Sequence, residues 1–310
     1  MKYIFDTDIG DDIDDALTLA YALEKGVDLI GITTVYREPQ KRAAIAKKIL
    51  QFKNKDVPVY AGYDKPINPK TVKIGKMNYT ESEELNVHND PYEAIKYIAD
   101  SAEKYGEELT VLAIGEQTNL AKAWLTFPEK MKKLGRLVIM GGCFTLHHNE
   151  WNIAGDPSAA KIVAESDIKK LYVPWNVTKD VNIGEKNYDY VLGLEKDDLQ
   201  GYIAKLVRDW KERNTVKFNV NGEVKTKKFD FIPILHDPLA LICACNSKFY
   251  KAKKTKIAVI DEGPACGMTI NVSTLNLSAT QNVNYSEADI ITEVNADEIV
   301  GEFMKVTFKN

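Results

Sequence analysis

Six of the ten residues from position 6 to position 15 are aspartates, in the run Phe5-Asp6-Thr7-Asp8-Ile9-Gly10-Asp11-Asp12-Ile13-Asp14-Asp15-Ala16-Leu17. Carboxylates crowded this closely repel one another unless a cation neutralises them. A donor set made only of oxygen suits a hard ion such as Ca²⁺ or Mg²⁺. Asp6 and Asp8 share one face of a strand end, because strand side chains alternate. Asp14 and Asp15 open an apolar helix, where the macrodipole favours negative charge. Neighbouring helical positions diverge by about 100°. One of that pair can therefore face an ion while the other reaches a different ligand group.

Three further segments carry polar residues where chemistry needs them. Gly115-Glu116-Gln117-Thr118-Asn119 is a Gly-led turn between a strand and a helix, and Thr118 and Asn119 are also types that cap helices. Glu150-Trp151-Asn152 stands before Asp156-Pro157 in a loop that leads into a helix. His236-Asp237 is set among Ile232, Ile234, Leu235, Leu239 and Leu241. A polar pair there is costly to bury without partners, so it is a candidate second contributor to a cation site.

Elements to position these groups follow from periodicity. Apolar runs predict strands at 3–5, 29–35, 57–60, 109–114, 137–140 and 170–173. Helical patterns alternate with them at 16–23, 43–52, 92–104 and 120–125. Beyond residue 160 the spacing predicts a helix continuing through 162–165, a long helix within 192–213 and a hairpin about Asn221-Gly222. A buried helix carrying 235–241, β-rich closing strands from Lys256 and a terminal helix at 297–306 complete the pattern. Such alternation points to an α/β fold, an open and mostly parallel (mixed) Rossmann-like sheet flanked by helices. With no linker, repeat or low-complexity tract, residues 1–310 read as a single domain. In such sheets ligands bind beyond the carboxyl ends of the strands.

Composition excludes other classes. Lys plus Arg total 41 against 45 for Asp plus Glu, a net charge of −4. That balance lacks the basic footprint of a nucleic-acid binder and the polybasic character of a membrane-surface protein. Nothing at the start resembles a signal peptide, and no 18-residue apolar run exists to span a membrane. Cys143, Cys243, Cys245 and Cys266 form no C-x-x-C pair, which suggests buried or inert thiols in a reducing compartment. The expectation is a cytoplasmic protein.

Taken in order, these segments resemble the nucleoside hydrolase (nucleoside N-ribohydrolase) family of the inosine-uridine preferring type. The similarity runs through residues 6–17, the Gly-Ile-Thr-Thr-Val strand at 31–35, the segment 57–62, Gly115 with Thr118-Asn119, Met140-Gly141-Gly142, Glu150-Trp151-Asn152 with Asp156-Pro157, and His236-Asp237. The resemblance implies Ca²⁺-dependent hydrolysis of the N-glycosidic bond of nucleosides, releasing free base and ribose. It implies one Ca²⁺ held by the carboxylates of Asp8, Asp15 and Asp237 and the main-chain carbonyl of Thr118. Asp8 would act as general base on a metal-bound water, and His236 would assist the departing base. Asp14, Glu38, Glu150 and Asn152 would hold sugar hydroxyls. A homo-oligomer, dimer or tetramer, is also implied.

The chain departs from the family pattern in three places. Two extra residues between Gly10 and Asp14-Asp15 leave Asp11-Asp12 as competitors for the same roles. Arg37-Glu38 stand where the family has Gly-Asn, and the short loop 143–149 offers His147, His148 and Asn149 in place of a clear 5′-hydroxyl ligand. Trp210, Phe218 and Phe229 are placed to form a flap over the base, or an ordinary hairpin. Two alternatives stand beside the hydrolase: a non-catalytic nucleoside- or sugar-binding protein of the same fold, and a haloacid-dehalogenase-like phosphatase with Asp6 as nucleophile.

Overall fold

Strands in the centre of this chain are apolar on both sides, so each must be covered twice. In the computed structural model, residues 1–68, 87–213, 231–275 and 284–309 are described in full, and 215–220 and 223–228 by their backbone. The first half runs β1 (Lys2–Thr7), α1 (Asp14–Lys25), β2 (Asp28–Thr34), α2 (Pro39–Gln51), β3 (Val59–Ala61), α3 (Pro91–Tyr105), β4 (Leu109–Ile114), α4 (Thr118–Thr126), α5 (Pro128–Met131) and β5 (Arg136–Met140). There follow α6 (Trp151–Gly155), α7 (Pro157–Glu165), β6 (Lys170–Val173), α8 (Trp175–Thr178), α9 (Glu185–Leu192) and α10 (Leu199–Arg213). The hairpin β7 (Thr215–Val220) and β8 (Glu223–Lys228) leads to α11 (His236–Cys245), β9 (Tyr250–Val259), β10 (Thr269–Asn271), β11 (Ser286–Val294) and α12 (Ala296–Thr307).

Nine strands form one sheet in the order β10-β9-β11-β6-β5-β4-β1-β2-β3. From β3 across to β11 every pairing is parallel, and β9 joins β11 and β10 in antiparallel sense. Side-chain alternation divides the core into two layers. Tyr3, Phe5, Leu112, Ile114, Val138 and Met140 pack with residues of α1, α2, α10, α11 and α12. Ile4, Val111, Ala113, Leu137 and Ile139 face α3, α4 and α7. Each fully buried Leu, Ile or Phe contributes about 1.5–3 kcal/mol.

The chain leaves β1 for β2 and β3 on one side, then returns to β4 on the other. That reversal opens a crevice past the carboxyl ends of β1 and β4, where doubly wound sheets take ligands. Strand β3 starts at Val59 and not at 57, because Pro58 cannot donate to the ladder. Helix α2 starts at Pro39, four residues before its expected start, with proline in the first turn where a missing N–H costs nothing. Asn221 and Gly222 lie outside the described residues, but Val220 faces Glu223 in the hairpin register. All four cysteines are free; Cys143 and Cys243 are buried, Cys266 is partly buried and Cys245 is exposed. Among the described residues no helix is long and apolar enough to cross a membrane.

Candidate active site

β1 ends at Thr7, and the chain turns through residues 8–13 before entering α1 at Asp14. Gly10 carries φ of 122°, a conformation that side chains disfavour. Ile13, at the position before α1, makes no side-chain cap. The helix end is left with its own dipole and the acidic pair Asp14-Asp15. Helix α11 begins at His236 with Asp237 in its first turn.

Carboxylate oxygens of Asp14, Asp15 and Asp237 lie within 4.8 Å of one another, and all three residues are buried. Asp14 accepts from the main-chain N–H of Asp237, and the Thr7 hydroxyl donates to Asp15. Burial first, and then the charges of neighbouring carboxylates, push all three acids well above the usual range. Asp8 lies close enough to add to that repulsion. Burial raises its own carboxyl to about 7, with Arg42 opposing. The group brought together is Asp14, Asp15 and Asp237, and Asp8 lines the same cavity beside it.

Above these acids opens a cavity of about 650 Å³. Asp8, Asp14, Asp15, Asp237, Glu150, Asn152 and His236 all line it, with Trp151, Trp175, Trp210 and Phe231 among its apolar walls. Glu150 caps α6, accepting from the amides of Asn152 at 2.9 Å and Ile153 at 3.1 Å, and it also takes the Gly142 amide at 3.0 Å. Asn152 donates to the Met140 carbonyl at 3.1 Å. His236 Nδ1 sits 2.6 Å from Thr178 Oγ1. Burial pulls its imidazole down to about 4, so the ring is neutral at pH 7.

Other expected residues are placed elsewhere. Glu38 is exposed, pairs with Lys41, and is not among the residues lining the cavity. Tyr36, Arg37 and Glu38 have φ of 65°, 28° and 55°, and this left-handed curl delivers Glu38 to the start of α2. Thr118 opens α4 outside the cavity lining, its hydroxyl donating to Asp156 at 2.6 Å. Neither Thr118 nor Asn119 caps the helix: Asn119 donates to Asp6 at 2.7 Å and to the Thr34 carbonyl at 3.1 Å. Asp6 also takes the Thr33 hydroxyl at 2.6 Å. Asp6 is therefore held by Thr33 and Asn119 and is not among the residues lining the cavity, which removes the support for the phosphatase alternative.

Asp11 and Asp12 line the cavity without joining the triad. Asp11 pairs with Arg42 at 3.1 Å. Asp12 accepts from the Ile13 amide at 2.7 Å and from the Trp210 indole. In the loop 143–149, His148 stacks on Trp175 with ring centres 4.0 Å apart, and Asn149 donates to the Cys266 carbonyl at 2.7 Å. His147 is exposed. The Phe218 side chain and all of Phe229 fall outside the described residues. Sequence reasoning missed Arg42, Thr178 and Trp175. Arg42 reads like any surface charge on an amphipathic helix, and only tertiary contact reveals its burial.

A profile of the inosine-uridine preferring nucleoside hydrolase family matches residues 3–301. Uridine nucleosidase 1 of Arabidopsis thaliana is 26% identical over 324 aligned positions, covering 98% of this chain and 92% of the relative. A plant nucleoside hydrolase structure superposes with a TM-score of 0.80 at 23% identity, covering 99% of this chain and 98% of the other. A purine-preferring ribonucleoside hydrolase from Gardnerella vaginalis superposes with a TM-score of 0.76 at 24% identity, covering 99% and 98%.

Proposed function

The chain belongs to the inosine-uridine preferring nucleoside hydrolase family, and from that premise we propose that it hydrolyses the N-glycosidic bond of nucleosides in a Ca²⁺-dependent reaction. One observation carries the site assignment: three buried carboxylates from the N-termini of α1 and α11 meet under a cavity walled by tryptophans. Their buried, all-oxygen donor set fits a hard divalent cation. Asp14, Asp15 and Asp237 would hold it, with Asp8 and the Thr118 carbonyl as further donors. When bound, such an ion offsets the carboxylate repulsion and polarises the oxygens around it.

Asp8 takes the proton from the attacking water, its carboxylate lining the cavity beside the clustered acids. Glu150, fixed by main-chain amides and lining the cavity, receives sugar hydroxyls together with Asn152. The carboxylates around the sugar stabilise the positive charge that grows on the ring in an oxocarbenium-like transition state. Trp151, Trp175, Trp210 and Phe231 offer flat apolar surface to the leaving base. His236, neutral at pH 7, assists the base by a hydrogen bond and not as an imidazolium acid. Glu38 has no place in this scheme. The reading includes a homo-oligomer, which the family resemblance implies, and a reducing cytoplasmic setting, which the four free thiols favour.

Incubation with inosine, uridine and p-nitrophenyl phosphate, with and without chelator, tests the proposal. Reducing sugar released from a nucleoside and abolished by chelator supports it. Asp8→Asn should nearly abolish that release; phosphate release, or binding of nucleoside without sugar release, would sink it.

A further inference from the structure

Arg42, in the first turns of α2, is fully buried. A guanidinium taken out of water needs an acceptor for each of its donors. Its Nε donates to the Tyr36 carbonyl at 2.6 Å and the Arg37 carbonyl at 2.8 Å. Nη1 donates to the carbonyls of Asp8 and, at 3.2 Å, Ile9. Nη2 reaches Asp11 Oδ2 at 3.1 Å. One side chain therefore gathers acceptors from two loops, the β1–α1 loop that carries Asp8 and the β2–α2 loop at 36–38.

Both loops need such a hold. Three successive non-glycine residues at positive φ persist only where their surroundings determine them, and Arg42 binds the carbonyls of the first two. The β1–α1 loop passes through Gly10 at φ of 122°, and Asp11, the next residue, supplies the guanidinium with its counter-charge.

We propose that Arg42 is a positioning residue: by stapling the two loops, and through the Asp8 carbonyl, it sets the aim of the Asp8 carboxylate into the cavity. The catalytic consequence rests on the hydrolase reading above, whereas the staple is read from geometry alone. Lysine keeps the charge but presents a single nitrogen in place of a rigid fork, so Arg42→Lys separates charge from geometry. Arg42→Met removes both.

The test compares parent, R42K and R42M by circular dichroism, by peptide-resolved amide hydrogen exchange without added cation, and by kcat and KM. R42K should keep its fold while exchange at residues 8–13 and 36–38 rises about tenfold and the remaining sheet stays protected. Its kcat should fall about a hundredfold, as expected for a misaimed group, with KM little changed. R42M should show the same pattern more strongly if it folds. Parental exchange and kcat in R42K would overturn the proposal. So would loss of the folded state in both variants, which would assign Arg42 to global folding. If the parent releases no sugar from any nucleoside, the hydrolase reading fails separately, and the exchange result alone decides the staple.

Discussion

Replacing Asp237 with asparagine should stabilise the cation-free protein and abolish its stabilisation by Ca²⁺. The three clustered carboxylates lie within 4.8 Å of one another, and at an effective dielectric constant near 20 each charged pair repels by about 3.5 kcal/mol. Asp237→Asn removes two of those pairs. Proton uptake caps the relief, because holding an ordinary aspartate protonated at pH 7 costs about 4 kcal/mol. A cation-free gain of about 1–4 kcal/mol follows, once the altered contacts around Asp14 are allowed for. Unfolding entropy for a chain of 310 residues is roughly 0.65 kcal/mol/K, so the gain amounts to about 2–6 °C in Tm. The parent should rise by about 4 °C when Ca²⁺ reaches about a hundred times its Kd. Calorimetry of both proteins in EDTA and across a Ca²⁺ titration reads all four quantities. If D237N in EDTA melts below the parent yet still gains the full Ca²⁺ shift, the clustered carboxylates do not form the cation site.

Three further outcomes are expected. Without cation, stability should fall as pH rises from about 4 to 7, because native Asp6 and Asp8, both raised to about 7, hold protons the unfolded chain has released. His236, lowered to about 4, opposes this below about pH 6.5, but it is one group against several raised acids, Asp14, Asp15 and Asp237 among them; a chelated pH–Tm series with the opposite slope would contradict the assignment. Thr178→Val removes the partner 2.6 Å from His236 Nδ1 and should cost about 1 kcal/mol of stability. Turnover should drop by roughly tenfold through the loosened ring, as steady-state kinetics would read. Burial pulls Lys170 down to about 8 while it donates to the Ser166 carbonyl at 2.5 Å. Its folded pKa lies below the unfolded value, so the penalty is fully present below pH 8 and fades toward 10.5. Lys170→Met should raise stability at pH 7 by about 1–3 kcal/mol, and the advantage should shrink in melts at rising pH.

Local pattern alone revealed much of this protein. Aspartate density at 6–15 pointed to an acidic cluster, and Asp14 and Asp15 of that run do meet Asp237 in the fold. Alternating periodicity announced the parallel sheet, and β4 and β6 match their expected limits at 109–114 and 170–173 because both faces of those strands are apolar. His236-Asp237 stood out as a polar pair in an apolar stretch. Long-range geometry decided the rest. Which aspartates cluster was decided where the N-termini of α1 and α11 meet, more than two hundred residues apart in the chain. Glu38 left the expected site because three left-handed residues turn it outward, a backbone choice no residue type there announces. Arg42 became a central buried charge only because two loops present five acceptors to it. Periodicity registers which face of an element is apolar, and it is blind to the few polar contacts that close a loop. Those contacts are set when the sheet brings the ends of β1, β2 and β4 side by side.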